Sequence, residues 1–359
     1  MQALVDGAYK HNASDIHLMP DSPVFLRIDG RMRPIKDSSV RAEDVQDILR
    51  RMMPDYVEQD LAQKRGADFA WQPDERMRFR VSAYYERERL RLVMRLIKIE
   101  VASIDDLDLP GTVREIAEYP RGLTLLTGVT GSGKSTTLAA MIKHINEQFN
   151  RCIITIEDPI EMVHPNERSV ISQREVGRDV VDFRQGMVQA LRQDPDVILI
   201  GEMRDPETIR TSLRAAETGH YVLSTMHTSN ALHTVERILA EFDEAEHRLL
   251  RDQLAHNLRA TITQRLVRRI GGGRVAALEI MVVNDTIRKL ILEDEILSIG
   301  TVIRERRDGN VLFDQFLADL VRGKAIEEKE ALEWVEDEAG FRRYVKGRLS
   351  TADRGGIIG

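Results

Sequence analysis

The sequence predicts an α/β protein, a mostly parallel sheet with crossover helices preceded by a small α+β region. Three observations lead there. From about residue 113 onward, apolar strand-like runs alternate with helix-like stretches, the order that builds parallel sheets. The first hundred residues instead hold strand pairs joined by short polar turns, and one amphipathic stretch. The total of 359 residues suits two domains at roughly 100–200 residues each.

In the first region, Val24-Phe25-Leu26-Arg27-Ile28 reads as a strand running into a hairpin turn at Asp29-Gly30. Glu43 to Met53 reads as a helix, with Val45, Ile48, Leu49 and Met52 at helical spacing and Pro54 as its stop. Two longer strands follow, Met77 to Tyr85 and Arg89 to Ile99, around a polar turn at Glu86-Arg87-Glu88. Leu90, Leu92, Met94 and Leu96 share one face; Arg89, Arg91, Val93 and Arg95 share the other. On the partner strand Arg76, Arg78 and Arg80 lie opposite Met77, Phe79 and Val81. The hairpin therefore has one apolar and one arginine-rich face. That second face is either a solvated surface balanced by Glu75, Glu86 and Glu88 or a functional one.

Ile104 to Gly111 (I-D-D-L-D-L-P-G) reads as a linker. The expected organisation is thus a first domain over 1–103, a linker over 104–112 and a second domain over 113–359. In the second domain the expected order is strand 123–128, helix 134–149, strand 152–157, helix 182–192, strand 197–201, helix 206–217 and strand 221–226. From about 230 the chain reads as largely helical and charged. Gly271-Gly272-Gly273 interrupts it, and a short strand from Arg274 to Ile280 completes the sheet edge. The glycine-rich tail, Ser350 to Gly359, is expected to be loose.

Composition removes several classes of function. Hydrophobic residues at 42% and charged residues at 31% fit a soluble globular chain rather than a disordered one. A formal net charge of -7 argues against a broadly basic nucleic-acid binder. Cys152 is the single cysteine, which excludes a disulfide framework and a multi-cysteine zinc module. No run approaches the roughly 18 apolar residues of a membrane span. Met1 to Lys10 carries Asp6 and lacks the pattern of a signal peptide, so an intracellular chain is expected.

The chemistry starts where the strand Leu123 to Thr127 ends. Gly128-Val129-Thr130-Gly131-Ser132-Gly133-Lys134-Ser135 matches G-x-x-x-x-G-K-[ST]. Gly128, Gly131 and Gly133 let the loop wrap so that backbone N–H groups point at phosphate oxygens. Thr130, Ser132 and Thr136 complete the cradle. Lys134 supplies charge to the β and γ phosphates, and the Ser135 hydroxyl is a Mg²⁺ ligand. The helix behind, with Leu138, Met141, Ile142 and Ile145 on one face, aims its N-terminal dipole at the anion.

Phosphoryl transfer also needs a group for water, a metal shell and positive charge for the transition state. Ile153 to Ile156 runs into Glu157-Asp158-Pro159-Ile160-Glu161, which places acids at the carboxyl edge of the sheet. Val197 to Ile200 runs into Gly201-Glu202, a Walker B strand whose acid comes one residue late. Glu202 is either a general base on water or a Mg²⁺ shell group; Glu157 and Glu161 are further candidates for that shell. His220 and His227 flank the strand Tyr221 to Thr225 and are expected at one sheet edge, where they either sense or polarise the γ-phosphate or serve a structural role. An arginine from a neighbouring domain or subunit often supplies transition-state charge, and Arg80 and Arg95 are the candidates.

Together these segments resemble the type IV pilus retraction motor ATPases, within the hexameric secretion ATPases. N-A-S-D-I-H-L at 12–18 and F-L-R-I-D-G at 25–30 are similar to that family's amino-terminal signature. V-T-G-S-G-K-S-T-T at 129–137 resembles its phosphate loop, and I-T-I-E-D-P-I-E at 154–161 its acidic box. I-L-I-G-E-M-R-D at 198–205 resembles its atypical Walker B, and A-A-E-T-G-H-Y-V-L-S-T-M-H-T at 215–228 its histidine box. D-T-I-R-K-L-I at 285–291 is similar to the family's A-I-R-N-L-I motif but carries Asp285-Thr286 and Lys289, which leaves main and accessory retraction motors both open.

The resemblance implies a PAS-like first domain and a RecA-like P-loop NTPase domain, assembled as a homohexamer using ATP and Mg²⁺. It assigns Glu202 as catalytic glutamate, Glu161 to the acidic box, His220 and His227 to the histidine box, and Arg80 and Arg95 to a nucleotide across the interface. The implied partners are the inner-membrane pilus platform protein and a paralogous retraction ATPase, with no nucleic acid and no membrane span. The implied place is the cytoplasmic face of the inner membrane. Pilus-extension and type II secretion ATPases are the nearest rivals, and the single Cys152 leaves no room for their four-cysteine zinc subdomain. Conjugation-type secretion ATPases, RecA-like nucleic-acid motors and a non-hydrolysing nucleotide-sensing ring are the remaining alternatives.

Overall fold

Alternating burial along two long strands organises the first part of the chain. In the computed structural model, residues 2–347 are described apart from 12, 29, 37, 75, 76, 99 and 100. The chain divides into two units, Met1–Glu100 with Glu161–Val163, and Val101–Ile160 with His164–Gly359.

The first unit runs α1 (Gln2–Lys10), β1 (Asp15–Leu18), β2 (Phe25–Ile28), β3 (Arg31–Pro34), α2 (Ala42–Met52), α3 (Asp55–Lys64), β4 (Gly66–Asp74), β5 (Met77–Glu86) and β6 (Arg89–Lys98). Its six strands form one antiparallel sheet in the order β3-β2-β1-β6-β5-β4. Met77, Phe79 and Val81 of β5 and Leu92 and Met94 of β6 are fully buried, against Val5 and Ala8 of α1 and Val45 and Leu49 of α2. The period-two apolar pattern of the hairpin is what buries that face.

Arg87 and Glu88, with φ of 50° and 64°, make the two-residue turn between β5 and β6. The β2–β3 turn is equally tight, with Ile28 opposite Arg31 and Gly30 at φ 76°. Its other residue, Asp29, lies outside the described residues, as do Glu75, Arg76 and Ile99 of the expected hairpin. Pro54 does more than stop α2, because it is also the N-cap of α3. β3 is exposed along its whole length, so no alternation announces it.

The second unit runs α4 (Gly111–Ala117), β7 (Gly122–Thr127), α5 (Lys134–Gln148), β8 (Cys152–Glu157), β9 (Val170–Glu175), α6 (Phe183–Ala190), β10 (Val197–Ile200), α7 (Pro206–Glu217), β11 (Tyr221–Met226), α8 (Ala231–Ala240), α9 (His247–Asn257), β12 (Leu258–Arg268), β13 (Arg274–Val282), α10 (Asp285–Leu292), α11 (Ile299–Arg304), α12 (Phe313–Arg322), α13 (Glu328–Leu332) and α14 (Glu338–Val345). Its seven-stranded sheet has the order β13-β12-β7-β11-β10-β8-β9. Every neighbouring pair is parallel except β12–β13.

Helices cover both faces, so the central strands are apolar throughout rather than alternating. Leu123 and Leu125 of β7, Ile154 and Ile156 of β8 and Ile198 and Ile200 of β10 join one core. Leu126, Ile153, Val197 and Leu199 join the other, against Leu138, Met141, Ile142 and Ile145 of α5.

Three expectations change here. Leu258 to Arg268, in the stretch read as helical, is an interior strand between β7 and the edge strand β13. Arginines at 259, 265 and 268 interrupt its apolar run and hid it. β9 (V-I-S-Q-R-E) is an edge strand without an apolar pattern. Residues 104–112, read as a linker, pack against the second unit's core: Ile104 and Leu109 are buried with Val113 and Ile116, and Gly111 already starts α4. Their acidic residues face out while the leucine and isoleucine pack. The expected loose tail, 350–359, lies outside the described residues.

Candidate active site

β7 ends at Thr127, and the chain turns into a loop pressed against β12. Gly128 adopts φ 137°, and a Cβ there would collide with the Gln264 carbonyl oxygen. At Gly133, φ 91°, a Cβ would lie 2.7 Å from Gln264 Nε2. No other residue type fits either place without displacing backbone or a buried amide.

α5 starts at Lys134 with Gly133 as its N-cap, no side-chain cap and no acid in its first turn. Its first N–H groups and dipole are thereby left for an anion. Lys134 is buried, and Nζ donates to the carbonyls of Gly128 (2.7 Å) and Val129 (3.1 Å), which aim the ammonium across the loop. Thr130, Gly131 and Ser135 are exposed, and Thr136 is half-buried. Ser132 Oγ is buried with no hydrogen-bond partner among the described residues, a polar atom the loop itself leaves unused. Glycine geometry, lysine and bare helix terminus fit a nucleotide's phosphates.

The neighbouring strand ends supply the acids. Glu157 closes β8, and its Oε1 accepts from Thr155 Oγ1 (2.6 Å) and Gln173 Nε2 (3.1 Å). Glu161 lies beyond the cis Asp158–Pro159 bond, is exposed, and groups with the first unit rather than with these strand ends. Glu202 follows β10 on a segment pinned to β11: Thr225 Oγ1 donates to the Gly201 carbonyl (2.7 Å) and Met203 N to the Thr225 carbonyl (3.0 Å). Its side chain is only 16% exposed. Arg204 Nε sits 2.6 Å from Glu202 Oε2, and His227 Nε2 lies 3.7 Å from the same oxygen. The Arg204 side chain is 71% exposed, so this pair orients Glu202 more than it stabilises the fold. Because Met226 pairs with Thr127 in the parallel β11–β7 ladder, His227 and Gly128 leave the sheet at the same edge.

His220 does not join them. It precedes β11, at the opposite end of a six-residue strand, roughly 20 Å away at 3.3 Å per residue. There its Nδ1 lies 2.9 Å from the Ala215 carbonyl and 3.1 Å from Thr218 Oγ1, closing the C-terminal end of α7. The expectation that both histidines share one edge is corrected: residues on either side of a strand lie at opposite ends.

Arg80 and Arg95 belong to the first unit and face each other across the β5–β6 ladder. Arg80 is exposed. Arg95 Nε donates to Asp15 Oδ1 (3.0 Å), with Arg27 Nε 3.5 Å from Asp15 Oδ2. Burial alone would raise the Asp15 carboxyl, but hydrogen bonds from Ser14 and Arg95 outweigh it and hold it below the ordinary range. Elsewhere on this face Arg91 pairs with Glu86 (2.7 Å) and Arg89 with Asp21 (2.8 Å).

Among the described residues, no three His, Cys, Asp or Glu side chains gather into a metal cage. Mg²⁺ does not need one, since it binds through one or two carboxylates plus substrate phosphates and water. One hydroxyl, Ser135, with Glu157 and Glu202 on adjacent strand ends, suits that set.

Sequence reasoning missed Asp15, Arg204 and Gln264. Arg204 stood inside the I-L-I-G-E-M-R-D segment and Asp15 inside N-A-S-D-I-H-L, but the contacts of Asp15 and Gln264 come only from strands paired far apart in sequence. Asp205, in the same segment, caps α7 by accepting from Thr208 N (2.9 Å).

A strand, glycine loop and lysine-led helix, with acids on adjacent strand ends, define a nucleotide-binding P-loop protein. Residues 1–331 match the family of type II/IV secretion system proteins, and the chain belongs to that family. The type IV pilus retractation ATPase PilT of Pseudomonas aeruginosa is 40% identical over 325 residues, covering 90% of this chain and 94% of that protein. A twitching motility protein of Neisseria gonorrhoeae is 44% identical over 300 residues, 83% of this chain and 80% of that one. The crystal structure of the pilus retraction motor PilT with bound ADP superposes with a TM-score of 0.90 at 38% identity, covering 96% of this chain and 99% of that chain.

Proposed function

We propose that this chain is an ATP-hydrolysing motor that powers type IV pilus retraction, as the main or an accessory retraction ATPase. The observation that carries the reading is the near full-length likeness to a retraction motor with bound ADP, on a chain whose own phosphate loop and Glu202 share one sheet edge.

The loop from Gly128 to Gly133 and Lys134 hold the β and γ phosphates, with Thr136 alongside. Ser135, Glu157 and Glu202 are the groups to hold Mg²⁺, and Glu161 is a further acidic candidate. When bound, the ion would neutralise developing negative charge on the phosphates. Glu202 orients or deprotonates the attacking water, with His227 beside it to report the phosphate's presence. His220 supports α7 instead. Arg80 and Arg95 supply transition-state charge to a nucleotide held by a neighbouring subunit, so the site is shared between subunits, and the resemblance to the hexameric secretion ATPases makes the working form a ring of six. The partners are the pilus platform protein at the cytoplasmic face of the inner membrane and, for an accessory motor, a paralogous ATPase. Among the described residues no helix is long and apolar enough to cross a membrane.

Purified protein tests the chemistry. Lys134→Ala should abolish productive ATP binding, because the charge paired with the phosphates is gone. Glu202→Gln should retain binding and slow phosphate release by about 10²-fold or more. Near-normal turnover in either variant would defeat the site assignment.

A further inference from the structure

The β7–β12 ladder ends at Thr127 opposite Thr263, where the two hydroxyls meet at 2.8 Å. Beyond it β7 gives way to the phosphate loop, while β12 continues with Gln264. That side chain takes over from the ladder. Its Nε2 donates to the Ser132 carbonyl (2.9 Å), and its Oε1 accepts from Thr137 Oγ1 (2.8 Å). Gln264, Ser132 and Thr137 are all buried, at 2%, 3% and 1% exposure, so water does not compete for these bonds. The amide's orientation is fixed by chemistry, since a carbonyl only accepts. One end grips the loop and the other the first turn of α5, while the Gln264 backbone carbonyl fills the space a Cβ on Gly128 would need.

Resting on the nucleotide-site reading above, we propose that Gln264 is a positioning residue for phosphate binding. It locks the rear of the loop to α5 so that the loop N–H groups and Lys134 converge on a nucleoside di- or triphosphate before it arrives. Only a residue with one donor and one acceptor at this reach does so. Glutamate lacks the donor and adds an anion behind the phosphate site, and methionine keeps the length and packing but offers neither bond. Gln264 does not touch the phosphates, so its effect is on the geometry of groups that do.

The test is equilibrium titration of full-length protein with a fluorescent ADP, with melting of the nucleotide-free protein measured alongside. Gln264→Met should weaken ADP binding about tenfold, the scale of two lost buried hydrogen bonds, while the melting temperature stays within a few degrees. Thr137→Val, which removes one bond and keeps the volume, should weaken it about threefold. The double variant should cost less than the product of the two, because both substitutions break the same strut. A folded Gln264→Met protein that binds ADP within about twofold of wild type overturns the inference. If Gln264→Met does not fold, Thr137→Val decides, and unchanged affinity there overturns it. Wild-type protein that fails to bind ADP would sink the nucleotide site itself and this inference with it.

Discussion

At the scale of single residues, His220 and His227 have the same chemistry and different work. His227 stands 3.7 Å from the Glu202 carboxylate at the edge where the phosphate loop begins, whereas His220 closes a helix end on the far side of the sheet. His227→Ala should therefore cut ATP turnover while leaving ADP affinity within about tenfold, a shift of roughly 1.4 kcal/mol. His220→Ala should leave turnover intact and cost about 1 kcal/mol of stability through the lost bond to Ala215. Steady-state kinetics and thermal melting on the two variants separate these roles, and equal losses of turnover would return both histidines to one function. Their types and spacing were legible in the sequence. Their placement was not, because it depends on which end of β11 faces the loop. Asp15 was hidden for a similar reason: it meets Arg95 only because β1 pairs with β6, 80 residues away.

Elements differ in how openly the sequence declares them. β7, the loop and α5 are legible because continuous apolar burial, glycines and helical spacing all agree locally. β12 is not, although it is interior, because its arginines break the apolar run and its register depends on β7. The hairpin it forms with β13 holds a second buried acid. Glu279 lies opposite Thr263, and its Oε1 accepts from Ala231 N (2.8 Å) at the start of α8. Burial pushes its carboxyl up to about 7; Glu336 adds to the rise, while the backbone bonds from Ala231 and Phe313 and the charge of Arg265 offset part of it.

The folded protein thus keeps a proton on Glu279 that the unfolded chain gives up near pH 4.5. Its contribution to stability is greatest below that pH and falls as pH rises to about 7. Glu279→Gln keeps an acceptor for Ala231 and removes the titration. It should therefore melt close to wild type near pH 4.5 and at a higher temperature than wild type at pH 8. Melting curves across this range check it, and a difference that does not vary with pH would contradict the buried-acid account.

For the whole molecule, the parallel sheet of the second unit follows from the alternation of apolar runs and helix-like stretches that the sequence shows from about residue 113. The shared-site idea does not follow from either unit alone. It depends on Arg80 and Arg95, which the first unit presents as a facing pair with Arg95 held by Asp15, and on a phosphate loop that the second unit builds independently. The most direct measurement is pilus retraction in cells lacking only this protein, resupplied with wild type or with Glu202→Gln. The account predicts that loss of the protein lowers the frequency or force of retraction, that wild type restores it, and that Glu202→Gln, though folded and nucleotide-bound, does not. Retraction unchanged in both frequency and force without the protein, or fully restored by Glu202→Gln, would contradict it.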